Sequence, residues 1–60
     1  MLENLIRIVV VDDHPVISHG VKSILEKNAH IEVVGEAENA RNAEKLVEKE
    51  RPDVVVLDIT

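Results

Sequence analysis

The chain has 60 residues, a net charge of −5, no cysteine, no aromatic residue, and 45% hydrophobic residues. A chain this short buries only about 60% of the surface it exposes when unfolded, so its core of Val, Ile, Leu and Ala is small and a further segment or self-association is expected to complete it. The composition excludes disulfides and thiolate metal sites, and the acidic balance argues against direct binding to nucleic acid or anionic membrane. The start, Met1-Leu2-Glu3-Asn4-Leu5, lacks the cationic and long apolar regions of a signal peptide. No apolar run approaches the roughly 18 residues of a membrane span, and the expectation is a cytoplasmic protein.

Ile6–Val11 is rich in β-branched residues and runs into Asp12 and Asp13, the pattern of a buried parallel strand opening into a loop. Pro15 suits the first position of a helix, where its missing N–H has no intrahelical acceptor, with His14 or Asp13 as the cap. That helix is expected to run to about Asn28, with Ile17, Val21, Ile24 and Leu25 facing the sheet. Gly20 costs about 1 kcal/mol of helix propensity relative to Ala, and close approach to a neighbouring strand is the simplest reason for it. Asn28-Ala29-His30 reads as a turn, and Ile31–Gly35 as a short edge strand with weak alternation. Asn39 can cap a second helix from Ala40 to about Glu50, with Ala40, Ala43, Leu46 and Val47 as its apolar stripe. Arg51-Pro52-Asp53 ends it, because proline cannot continue a helix and biases the preceding residue away from helical angles. Val54–Leu57 is the last strand, apolar throughout as if buried on both sides, and it ends at Asp58.

The order β-α-β-α-β defines an α/β fold with right-handed crossovers and a parallel sheet, and it reads as the first half of a doubly wound domain. Parallel strands ending in Asp12-Asp13 and in Asp58 bring three carboxylates to the carboxyl end of one sheet, where ligands bind in open α/β folds. Such a cluster repels itself unless a cation sits there, and Mg²⁺, held by one or two carboxylates plus a phosphate, is the natural occupant. A carboxylate beside that ion is a plausible phosphoryl acceptor. Any one acidic residue at a strand end is most often a solvated loop residue, but three at matching ends favour a function. His14 is read as a cap or loop residue in preference to a ligand, and His19 and His30 share no ligand spacing with it. The charged positions Arg41, Glu44, Lys45, Glu48 and Lys49 read as a solvated helix face.

The runs Ile8-Val9-Val10-Val11-Asp12-Asp13-His14-Pro15, Val33-Val34-Gly35-Glu36-Ala37 and Arg51-Pro52-Asp53-Val54-Val55-Val56-Leu57-Asp58-Ile59, with Gly20 between the first two, resemble the receiver domain of bacterial two-component response regulators. The NarL/FixJ-type subgroup is the nearest match. The resemblance implies a flavodoxin-like sheet with the three strands in the order 2-1-3, of which residues 1–60 form the N-terminal half. It implies a phosphoryl acceptor rather than an enzyme, with Asp58 taking the group from the histidine of a sensor histidine kinase. Asp13 is then a direct Mg²⁺ ligand, Asp12 acts through a metal-bound water, and Asp58 and the backbone carbonyl of Thr60 complete the metal site. DNA is reached only through a C-terminal output domain. Two other families start from similar strands: a haloacid-dehalogenase-type phosphatase wants an aspartate where Thr60 stands, and a dinucleotide-binding domain wants a glycine-rich turn in place of Asp-Asp-His-Pro. A non-catalytic alternative is an assembly module that self-associates as a homo-oligomer through the Val54–Leu57 sheet edge.

Overall fold

The computed structural model describes residues 5–58. It contains β1 (Ile6–Asp12), α1 (Pro15–Leu25), β2 (Ile31–Ala37), α2 (Ala40–Glu50) and β3 (Val54–Asp58). The three strands form one parallel sheet in the order β2-β1-β3, half of a flavodoxin-like sheet. From β1 the chain crosses to one side to make β2, then back past β1 to make β3. Because both crossovers are right-handed, α1 and α2 fall on opposite faces of the sheet.

β1 lies between two strands and under two helices, and Ile8 to Asp12 are all buried. Alternation along the strand sends Val9 and Val11 toward α2, where they form the core with Ala37 and Ala43, flanked by Val34 and Leu46. Ile8, Val10 and Asp12 take the other face, toward α1. Burying one valine side chain contributes roughly 1.5–3 kcal/mol, so this strand carries much of the apolar stabilisation.

A β-bulge in β2 explains its weak alternation. Ile8 pairs with Val33 but Val9 pairs with Gly35, which leaves Val34 as an extra residue. Val34 and Gly35 therefore both face α2, and the phase of the strand changes so that Glu36 faces α1 and Ala37 enters the core. Gly35 is also a point of close approach between α2 and the sheet, since a Cβ there would lie 2.9 Å from Leu46 Cδ1. The close approach expected at Gly20 does not occur, because a Cβ at Gly20 meets nothing within 4 Å.

α1 ends at Leu25, short of Asn28, with turn residues following, and it is rotated from the face its apolar residues suggest. Ser18 is the buried residue of this helix, with Val21 and Leu25 half-buried on the same side as expected, while Ile17 and Ile24 are exposed. Polar contacts to β2 lie on this face: Ser18 Oγ, which donates to the Pro15 carbonyl at 3.1 Å, lies 3.2 Å from Glu36 Oε1, and Lys22 Nζ stands 3.7 Å from Glu36 Oε2. These contacts hold Ser18 and Lys22 toward β2.

α2 follows its sequence closely. The Asn39 side chain accepts a hydrogen bond from the Asn42 N–H at 2.8 Å, which satisfies one of the open donors of the first turn. Arg51 ends the helix in the left-handed conformation, φ 49°, with its N–H bonded to the Val47 carbonyl. The amino end of the sheet is tied by Arg7. Its backbone N–H donates to Asp53 Oδ2 at 2.9 Å and its carbonyl accepts from Asp53 N–H at 2.8 Å. Its guanidinium donates to the Glu50 carbonyl and, at 3.0 Å, to Glu50 Oε1.

β3 differs from its sequence expectation. It is paired on one side only, and Val54, Val55 and Leu57 are exposed, so the apolar run is an uncovered edge and not a strand buried on both sides. Beside it, Ala40, Ala43, Val47 and Leu57 line an open apolar groove of about 410 Å³ between α2 and the sheet.

Candidate functional site: an acidic cluster at the carboxyl end of the sheet

The last register pair of the β1–β3 ladder is Asp12 with Asp58. Two strands that are parallel and in register must end at the same level, so the carboxylates expected to meet are brought to adjacent strand ends. Asp13 follows in the turn between β1 and α1. At this end of the sheet the chain leaves β1 for α1 on one face and leaves β2 for α2 on the other, and the crevice where the strand order reverses beside β1 is where α/β sheets bind ligands.

The two strand-end aspartates have different surroundings. Asp12 is 1% exposed, and its Oδ1 accepts the His14 N–H at 2.8 Å, a local side-chain turn that sets the direction of the chain into α1. Asp12 Oδ2 is buried and has no hydrogen-bond partner. A buried carboxylate oxygen left without a partner costs more than an ordinary polar contact returns, and such an atom calls for an ion or a water. Asp58 is exposed.

His14 occupies the N-cap position of α1, where its carbonyl accepts from the N–H groups of Ile17 and Ser18. Its ring makes no cap. Nδ1 instead lies 2.8 Å from Asp13 Oδ1 and 3.4 Å from Asp12 Oδ1. Asp12, Asp13 and His14 each offer one ligand atom, and these atoms lie within 4.8 Å of one another. Asp58 is not a member of that group, and Thr60, whose carbonyl the family resemblance makes a metal ligand, lies outside the described residues. His19 and His30 are exposed and stand apart from the group. The sequence signal for the His14 contact was its adjacency to the aspartate pair; nothing in the sequence marks Ser18 as the residue that seats α1.

Tested against a divalent cation, the residues fit: two oxygen donors at a turn, one of them on a buried and incompletely satisfied carboxylate, match the hard, oxygen-seeking chemistry of Mg²⁺.

The pattern of the response regulator receiver domain matches residues 8–60. The transcriptional regulatory protein DegU of Brevibacillus brevis is 49% identical over 57 residues, which cover 95% of this chain and 24% of that protein. A protein-glutamate methylesterase/protein-glutamine glutaminase of Alkalilimnicola ehrlichii is 48% identical over 54 residues, covering 90% of this chain and 14% of that one. Among solved structures, the signal receiver domain of the NarL response regulator of Mycobacterium tuberculosis superposes with a TM-score of 0.86 at 40% identity, over 92% of this chain and 44% of that chain. The chain belongs to the response regulator receiver domain family and is of the NarL type. It spans about a quarter or less of the length of these two relatives, one of which bears the name of a transcriptional regulator and the other that of an enzyme. Among the described residues, no helix is long and apolar enough to cross a membrane.

Proposed function

We propose that this chain is the part of a two-component response regulator that accepts a phosphoryl group on Asp58. The observation that carries the reading is the register pair Asp12 and Asp58, which sets a buried and an exposed carboxylate at neighbouring strand ends in a chain of the receiver family. In this reading the donor is the phosphohistidine of a sensor histidine kinase. A carboxylate oxygen of Asp58 attacks phosphorus, the P–N bond to the kinase imidazole breaks, and its electron pair returns to the ring nitrogen. Asp12, Asp13 and Asp58, together with the Thr60 carbonyl, are the groups that would hold Mg²⁺, which when bound neutralises charge on the transferring phosphoryl oxygens. Asp12 takes its place by burial under α1, and its bond to the His14 N–H fixes the carboxylate against rotation.

The chain itself is a phosphoryl acceptor and not an enzyme, and the protein it serves is a transcriptional regulator whose DNA contacts come from elsewhere, in keeping with the acidic charge of this segment. The test is phosphate incorporation from a phosphorylated kinase or a small phosphodonor: Asp58→Asn should abolish it while circular dichroism shows an unchanged fold. Incorporation at the unaltered level in that variant would contradict the assignment.

A second reading has its own observation. The exposed edge and face of β3, with Leu57 bordering the apolar groove, favour strand addition by a second copy of the chain. Sedimentation equilibrium tests it, with a concentration-dependent dimer expected and a monomer at all concentrations opposing it.

A further inference from the structure

The apolar pattern of β3 does not define where along β1 the strand must lie. Val54 and Val55 point to opposite faces of the sheet and are 44% and 41% exposed, so a slide of one residue exchanges nearly equal burial. Val54-Val55-Val56 also offers β1 much the same side chains before and after such a slide, and among the described residues no strand pairs with the other edge. We infer that Arg7 and Asp53, at the opposite end of the sheet from the acidic cluster, are positioning residues that set the β1–β3 register and so bring Asp58 level with Asp12. The inference rests on the reading of Asp58 as the phosphoryl acceptor and concerns what places it.

The contacts converge on the step into β3. The Arg7 N–H donates to Asp53 Oδ2 at 2.9 Å and the Asp53 N–H donates to the Arg7 carbonyl at 2.8 Å, immediately before the first register pair, Ile8 with Val54. The Arg7 guanidinium donates to the Glu50 carbonyl, to Glu50 Oε1 at 3.0 Å and to the Arg51 carbonyl at 3.4 Å. One residue thus holds the carboxyl end of α2 with its side chain, where the helix dipole favours a cation, and the start of β3 with its backbone. Between these two points the chain has little freedom, because Arg51 is left-handed at φ 49° and the ring of Pro52 fixes its own φ. With residue 53 fixed, the pairing runs without a shift to Asp12 with Asp58, whereas the β1–β2 pairing is broken by its bulge.

The register decides the geometry of the acidic cluster from about 16 Å away, five strand residues at about 3.3 Å each. A slip of one residue moves Asp58 along β1 and turns its carboxylate to the face of the sheet opposite Asp12. In one direction Asp58 comes to pair with Val11; in the other, Leu57 comes to pair with Asp12.

Two readouts on the isotope-labelled protein test this: nuclear Overhauser contacts between β1 and β3, which report the register, and the initial rate of phosphoryl incorporation from acetyl phosphate per folded molecule. In Asp53→Ala, contacts displaced by one residue should appear and the rate should fall about tenfold or more, and in Arg7→Met, which leaves both Asp53 bonds in place, the rate should fall about threefold. Asp53→Asn keeps an oxygen acceptor for the Arg7 N–H and should retain the native contacts, with a rate within about twofold of the unaltered protein. Val9→Ala, which weakens the core without touching these contacts, should retain both the register and the rate. Native contacts alone in Asp53→Ala and Arg7→Met would overturn the inference, as would a rate loss in Val9→Ala equal to that in Asp53→Ala, which would mean a merely stabilising role. Should Asp53→Ala not fold, Arg7→Met decides on the same two readouts. Displaced contacts with undiminished incorporation would overturn the reading of Asp58 as the acceptor, whereas native contacts with undiminished incorporation would overturn only the role of Arg7 and Asp53.

Discussion

β1 and β3 carry nearly the same sequence. Ile8-Val9-Val10-Val11-Asp12 pairs one for one with Val54-Val55-Val56-Leu57-Asp58, yet the first segment is buried from end to end and the second is mostly exposed. Val9 and Val55 face each other in register at 0% and 41% exposure. The difference lies in neighbours: β1 has a strand on each side and a helix on each face, whereas β3 has one strand and only the edge of α2 near Leu57. A run of β-branched residues thus specifies a strand and not its depth. The same contrast separates the two terminal carboxylates, since Asp12 is buried and held by the His14 N–H while Asp58 is exposed.

Substitutions at matched positions put this contrast to the test. The largest effect is expected between the aspartates. Asp58→Asn should remove phosphoryl acceptance altogether, while Asp13→Asn should leave the acceptor in place and weaken Mg²⁺ binding about tenfold or more, read by titration and by phosphorylation at limiting Mg²⁺. Among the valines, Val9→Ala should destabilise the protein by about 2 kcal/mol in urea unfolding, and Val55→Ala by under about 0.5 kcal/mol. Equal losses would show that β3 is covered in solution, which would favour its pairing with another strand.

The glycines give a smaller contrast of opposite sign. Gly35→Ala pushes a methyl against Leu46 and should cost about 1 kcal/mol, moderated because the Leu46 methyl groups can move. Gly20→Ala meets open space in a helix and should stabilise by about 0.5–1 kcal/mol in thermal unfolding. A destabilising Gly20→Ala would restore the close packing that the sequence suggests at that position. Smallest is the end of α2: Arg51→Gly relieves a left-handed conformation on a residue with a side chain and should add about 0.5 kcal/mol, partly offset by the greater freedom of glycine in the unfolded chain.

The order and type of all five elements were legible in the sequence, because each is punctuated by a residue with one structural use: Pro15 opens α1, Asn39 caps α2, and Pro52 follows its end. The acidic end of the sheet was legible for the same reason, since parallel strands in register carry their terminal residues to one level. What the pattern missed depends on contacts distant in sequence. α1 turns Ser18 and Lys22 toward Glu36, where the hydrophobic periodicity favours Ile17 and Ile24. The phase of β2 is reset by one extra residue, Val34, which no alternation rule places. The His14 ring turns to Asp13 instead of capping its own helix, a choice made by the electrostatics of the turn.

In the proposed function, the exposed member of the Asp12–Asp58 register pair is the phosphoryl acceptor. The most direct measurement is borohydride trapping after incubation with a phosphodonor and Mg²⁺, followed by peptide mapping, since reduction of an acyl phosphate converts that aspartate to homoserine. Homoserine at position 58 alone is the predicted result. Trapping at position 12 or 13, or a stable phosphate on His14 with no homoserine at all, would contradict it.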